Sequence, residues 1–200
     1  RFQSGWGEYN AKWEGCRGEK WQSGKVAGWQ SGKVAEWQGG RVMSNRAYQD
    51  GLPKKRMGAG ALIFDENGRF LLVNPTYKEP WEVPGGVVEA HESPAQACVR
   101  EVREELGLDI ELHRLLLVDY LSDSPEKVEA LMFIFEGPIL TPTEIEVIKL
   151  QGEELSEYRF CTDEEAMMLL NHRLGRRVQC SLAALVENGP VYVEDQESVF

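Results

Sequence analysis

The stretch that most constrains what this chain can fold into is Gly86–Leu108, GVVEAHESPAQACVREVREELGL, which reads as a turn followed by one well-capped helix. Ser93 suits the N-cap, Pro94 the first helical position, and Gln96 the place from which a side chain reaches back to the cap. Gly107 supplies the left-handed residue that stops the helix. Between these caps Ala95, Cys98, Val99, Val102 and Leu106 recur at helical spacing as an apolar stripe, with Cys98 a small buried residue rather than a nucleophile. Glu101, Glu104 and Glu105 centre roughly 130° around the helix from that stripe. Carboxylates at i, i+3 and i+4 repel one another. Water alone can solvate such a face, and most acidic helix faces are of that kind. A hard divalent cation with oxygen ligands is the alternative.

The residues around the helix decide between these readings. Gly86, then Glu92, then Arg100-Glu101-Val102-Arg103-Glu104-Glu105-Leu106-Gly107-Leu108 resembles the Nudix box, with every fixed position matched over 23 residues. That resemblance implies an α/β/α sandwich with a mixed β-sheet, reaching from roughly Lys54 to the C-terminus. It also implies hydrolysis of a nucleoside diphosphate linked to another moiety, with Mg²⁺ as cofactor and Mn²⁺ as an alternative ion. By the same resemblance Glu101, Glu104 and Glu105, with the backbone of Gly86, hold the metal. Arg100 orients a catalytic Glu, Gly85 and Gly107 are structural, and Glu92 is structural or a contributor to metal binding, the structural role being preferred. The chemistry agrees: water attacks a diphosphate slowly until cations neutralise its oxygens and lower the pKa of the water.

The general base stays open between a Glu of the box and one from a distant loop. Glu154, beside Glu153 and with Glu144 behind them, is the candidate outside the box, against the plainer reading of a solvated surface carboxylate. Tyr77 and Trp81 are candidates to stack a nucleobase, Trp81 being equally suited to core packing. Tyr120 and Pro125 assign no subfamily. A catalytically silent module that senses a nucleotide-like ligand is the alternative function, and a homodimer is left open.

The rest of the chain sets limits. Trp13, Trp21, Trp29 and Trp37 recur every eight residues in a Gly-, Gln- and Ser-rich segment with too few aliphatic residues to build a core. Residues 1–45 are therefore expected to be a disordered repeat tail, with Met43 a natural start, and 46–200 the folded domain. Interleaved basic and aromatic residues in the tail are a weaker hint of a nucleic-acid platform. Of 22 basic and 33 acidic residues the tail to Arg41 holds 7 and 4, leaving the remainder at a net −14. Such a domain is not expected to bind duplex nucleic acid or an anionic membrane, and a small polyanionic nucleotide derivative would need a bridging cation. Four scattered cysteines argue against zinc or a disulfide framework, making a reducing cytoplasm the default location.

Strands are expected at Gly58–Phe64 and Arg69–Val73 across an Asn67-Gly68 turn, at Trp81–Val83, Ile110–Leu121, Val128–Phe135, Ile145–Leu150 and Tyr158–Cys161. A loop containing Pro138 and Pro142 and two closing helices, Asp163–His172 and Arg173–Glu187, complete the reading.

Overall fold

The computed structural model describes residues 48, 50–125, 127–187 and 189–199, so the repeat tail and its boundary at residue 45 lie outside the described residues. The compact unit that carries the elements below runs from Lys55 onward. Strand β1 (Arg56–Asp65) is its axis. Ala61 and Ile63 face one side and Leu62 and Phe64 the other, all nearly inaccessible. A strand buried on both faces reads as an uninterrupted apolar run rather than an alternating one. Strand β2 (Phe70–Pro75) returns beside it after a turn. There the Asp65 carboxylate accepts the N–H groups of Asn67 and Arg69, each at 2.9 Å, while Gly68 adopts φ +77°.

Strand β3 (Gly85–Val87) pairs antiparallel with β1 and leads into helix α1 (Pro94–Leu106). There follow β4 (Arg114–Leu121), β5 (Ala130–Leu140), the short α2 (Pro142–Glu146), β6 (Leu155–Cys161), α3 (Asp163–Leu169), α4 (His172–Glu187), β7 (Val191–Glu194) and β8 (Glu197–Ser198). The sheet is mixed, in the order β6-β2-β1-β5-β4-β7-β8, with β1–β5 and β4–β7 parallel. Helix α1 covers one face through Cys98, Val102 and Leu106, packed on Ala61, Ile63, Leu71 and Val73. Helices α3 and α4 cover the other, where Ala166, Val178 and Ala184 meet Leu62, Phe70 and Leu72. This is the α/β/α sandwich. Full burial of Val102 and of Leu106 stabilises the docking of α1 by roughly 1.5–3 kcal/mol each. Among the described residues no helix is long and apolar enough to cross a membrane.

The caps of α1 form as its sequence dictates. The Ser93 hydroxyl accepts the Gln96 N–H, the Gln96 side chain accepts the Ser93 N–H, and Gly107 sits at φ +69°. The stripe is centred slightly differently, with Ala97 fully buried and Ala95 and Val99 only partly so.

Four expected strands change. Trp81 and Glu82 make only isolated bridges, to Leu170 and Val73, and the strand lies instead at Gly85–Val87. The glycine pair decides this, because a Cβ on Gly85 would stand 2.2 Å from the Ala59 carbonyl oxygen, so only glycine lets the backbone lie so close to β1. Ile110–His113 precede β4 rather than belong to it. Pro138 is inside β5, not in a loop. Pairing with β4 ends at Glu136 and pairing with β1 shifts register beyond Leu62, so Pro138 falls where its missing N–H costs nothing. Ile145–Leu150 is not a strand. Thr141 caps Pro142–Glu146, with Glu144 completing the capping box, and the chain then runs on irregularly. The closing strands β7 and β8 were not foreseen, since four and two residues after a helix give too short a pattern.

Candidate active site

The site is built where β3 meets α1. The Gly85 N–H donates to Oε2 of Glu105 at 3.0 Å. A Cβ on Gly86 would lie 2.3 Å from the Glu101 carboxylate, so the absent side chain is the space that Glu101 fills. Two consecutive glycines thus seat two carboxylates of one helical turn.

Arg100 ties the rest together. Its Nε and Nη2 donate to Glu92 at 3.2 and 2.8 Å, and Nη2 also donates to the Val87 carbonyl at 3.1 Å. Nη1 reaches Oε2 of Glu104 at 2.9 Å and stands 3.0 Å from Oε1 of Glu101. The Glu104 contact follows from i, i+4 spacing, whereas Glu92 is delivered by the loop between β3 and α1. Glu92 also accepts the Glu89 N–H at 2.7 Å. The Arg100 hydrogen bonds, with the Glu89 N–H behind them, hold the Glu92 carboxyl below its ordinary range, and Glu92 in turn raises the Arg100 guanidinium. Glu92 therefore positions Arg100, and Gly107 ends the helix just after the three carboxylates.

Burial pushes Glu105 up to about 8, against the stabilising Gly85 N–H, and the charges of Glu101, Glu82 and Glu154 add to the rise. Glu101 is raised too, first by burial and then, despite Arg100, by Glu104 and Glu154. Negative charge here exceeds what one guanidinium and the remaining water can balance, a state relieved by a proton or by a cation. Glu104 is the open member, with its side chain 52% accessible.

Glu154 reaches this field through its loop. The Gln151 N–H bonds the Glu105 carbonyl at 3.2 Å and the Thr76 N–H bonds the Glu154 carbonyl at 2.8 Å, holding the turn against the end of α1 and the end of β2. Glu153 contributes its backbone carbonyl to the Thr76 hydroxyl at 2.9 Å. Glu144 is taken up by the α2 cap, where the Thr141 N–H and hydroxyl lower its pKa. Glu82, whose charge also acts on Glu105, is a carboxylate beside the site that sequence reasoning missed. Nothing in its local spacing marks it, because only the fold brings it near Glu105.

A cleft of about 360 Å³ opens beside the glycine pair, lined by Gly85, Gly86, Tyr77, Lys78 and Glu82 among others. Tyr77 is 71% accessible there, with the Lys78 ammonium 5.0 Å above its ring. Trp81 is 7% accessible and belongs to the core beneath α3 and α4, with the Arg159 guanidinium 5.0 Å over its ring. The structure thus corrects its placement at the mouth: Trp81 packs the core and does not line the cleft.

Oxygen donors on one buried, over-charged helical turn are the chemistry a hard divalent ion selects. Among the described residues no three His, Cys, Asp or Glu side chains converge closely enough to enclose a metal, because Arg100 holds oxygens of Glu101 and Glu104 while Glu105 turns to Gly85. The donor set fits a divalent ion, and binding one requires Glu101 and Glu104 to share themselves between the ion and Arg100.

Comparison with known proteins gives the same stretch its context. The sequence pattern of the NUDIX domain matches residues 54–179. A Bacillus subtilis (strain 168) protein provisionally named an ADP-ribose pyrophosphatase is 40% identical over 70 residues, 35% of this chain and 33% of the relative. The 8-oxo-dGTP diphosphatase of Proteus vulgaris is 34% identical over 83 residues, 40% of this chain and 73% of that protein. The chain thus spans about a third of the Bacillus subtilis relative. Among solved structures, the MutT protein from Methanosarcina mazei Go1 superposes with a TM-score of 0.54 at 23% identity, over 68% of this chain and 98% of that one, a likeness of fold.

Proposed function

This chain belongs to the Nudix family, and from that premise we propose that it is a Mg²⁺-dependent hydrolase, with Mn²⁺ a competent substitute, cleaving the diphosphate bond of a nucleoside diphosphate linked to another group. The observation that carries the proposal is the set of three carboxylates on one turn of α1, two of them raised in pKa by burial and mutual repulsion. Glu101, Glu104 and Glu105 would hold the ion with the backbone of Gly86 beside them. When bound, it supplies charge neutralisation at the diphosphate and a more acidic water. Arg100, itself fixed by Glu92, keeps Glu101 and Glu104 aimed at the same volume. Glu154, whose charge acts on Glu101 and Glu105, is the candidate outside the box to take a proton from water. Tyr77 offers an open ring at the cleft for a nucleobase. The cytoplasmic setting expected from the scattered cysteines is part of the same proposal.

The test is phosphate or nucleotide release from ADP-ribose, 8-oxo-dGTP, dinucleoside polyphosphates, NADH and nucleotide sugars, with Mg²⁺ and with EDTA, for wild type and Glu104→Gln. Metal-dependent turnover of at least one compound, lost in the variant, is expected. A silent nucleotide sensor draws on a different observation, that Arg100 already engages Glu101 and Glu104. Tight binding of one compound without turnover of any would put that reading first.

A further inference from the structure

The chain carries a net charge of −11, yet among the described residues the cleft beside the carboxylates is lined by five cationic residues and by one acidic residue, Glu82. Two of the five are neutralised. Lys78 pairs with Glu82 at 2.6 Å, and Arg177 pairs with Asp119 at 2.8 Å. Arg56, Lys127 and Arg173 make no ion pair among the described residues, and all three are exposed. Arg173 acts on Asp195 only through its field, while the Asp195 carboxylate accepts the Ser122 N–H at 3.1 Å. An acidic body with three uncompensated cations in one concave place focuses anions there.

The floor of this cleft is organised rather than merely charged. Nε and Nη2 of Arg177 donate to Oδ2 of Asp119 at 3.0 and 2.8 Å. Asp119 also accepts the Gln196 N–H at 3.1 Å and its side-chain amide at 2.9 Å. Asp119 is wholly buried and so immobilises the guanidinium. Among the described residues Nη1 of Arg177 makes no hydrogen bond to the protein, and no buried side-chain nitrogen or oxygen is left without a partner. Nη1 is therefore open to whatever enters the cleft that Arg177 lines. A held guanidinium with an unused donor is suited to a phosphate oxygen.

We propose that this cleft is an anion subsite that takes a phosphoryl group lying beyond the scissile diphosphate, with Arg177 at its floor and Arg56, Lys127 and Arg173 around it. The inference rests on the hydrolase reading for the identity of the scissile bond. The glycine pair Gly85–Gly86 connects the two loci, meeting Glu105 and Glu101 and also lining the cleft. A ligand bridging them places its diphosphate at α1 and its further phosphate among the cations. The substrate class this favours is a small molecule with three or more phosphoryl groups in all, over one that ends in a neutral sugar.

The test uses inorganic tripolyphosphate as the probe, titrated calorimetrically into the full chain in EDTA and low salt. Wild type is expected to bind it. Lys127→Gln/Arg173→Gln, which alters only exposed side chains, is expected to bind about tenfold or more weakly and with a shallower salt dependence. The same variant should lower kcat/KM for a dinucleoside tetraphosphate more than for ADP-ribose. No binding by wild type, or equal affinity in wild type and the variant, overturns the subsite. Because the titration involves no turnover, its result separates from that of the hydrolase. Turnover with unaltered tripolyphosphate affinity refutes the subsite alone, and binding that is weakened by Lys127→Gln/Arg173→Gln without any turnover by wild type refutes the hydrolase alone.

Discussion

Replacing Glu105 by Gln in the metal-free protein should make its stability far less sensitive to alkaline pH. In the folded chain the Glu105 carboxyl is raised from 4.5 to about 8, chiefly by burial and then by Glu101, Glu82 and Glu154. A carboxyl raised in the folded state binds its proton more tightly there than in the unfolded chain. Its stabilisation is full below the unfolded value of 4.5 and is lost as pH rises through about 8. Between pH 6 and pH 9 nearly two pKa units of that linkage disappear, which is about 2–3 kcal/mol of folding free energy. Gln keeps an oxygen for the Gly85 N–H and carries no charge to desolvate. Urea unfolding in EDTA at both pH values should therefore show the wild type losing that amount relative to Glu105→Gln, and excess Mn²⁺ at pH 9 should restore it in wild type alone. Equal pH dependence in the two proteins would refute the claim that Glu105 is a buried, protonated acid.

The two glycines of the site should fail differently. Gly86→Ala directs its Cβ at the movable Glu101 carboxylate, so the fold should survive while metal-dependent kcat falls at least about tenfold, about 1.4 kcal/mol in barrier. Gly85→Ala combines φ +142° with a 2.2 Å approach to the Ala59 carbonyl, and should lower the melting temperature by several degrees or prevent folding. Asp119→Ala strands a buried guanidinium and should cost about 3–5 kcal/mol in a denaturant titration, with Asp119→Asn milder. Glu154→Gln should lower kcat with little change in KM if Glu154 takes the proton, and unaltered kcat would remove it from the mechanism.

Helix α1 and its three carboxylates were legible from sequence because every determinant is local: caps at fixed offsets, an apolar stripe, and charges one turn apart. The β1–β2 hairpin was legible for the same reason, through Asn67-Gly68 and two apolar runs. What depends on distant chain was not. Pro138 reads as a strand breaker until the sheet order shows that its N–H side has no neighbour. Ile145–Leu150 has the apolar content of a strand, but Thr141, Pro142 and Glu144 start a helical turn ahead of it. Trp81 is aromatic and near the glycine corner, yet its ring is committed to the core under α3 and α4, whose position no local pattern reveals. The cationic cleft joins β1, β5, α4 and the loops beside them, so its sign was hidden inside a strongly acidic composition.

On the proposed mechanism the α1 carboxylates bind a divalent ion at the expense of the Glu105 proton. Calorimetric titration of Mn²⁺ at pH 7, in two buffers of different ionisation enthalpy, measures the ion and the proton together. With Glu105 at about 8, wild type should bind Mn²⁺ and release about one proton per ion, and Glu105→Gln should bind more weakly and release none. Mn²⁺ binding of equal strength in wild type and in Glu101→Gln/Glu104→Gln/Glu105→Gln, or binding by wild type without proton release, would contradict it.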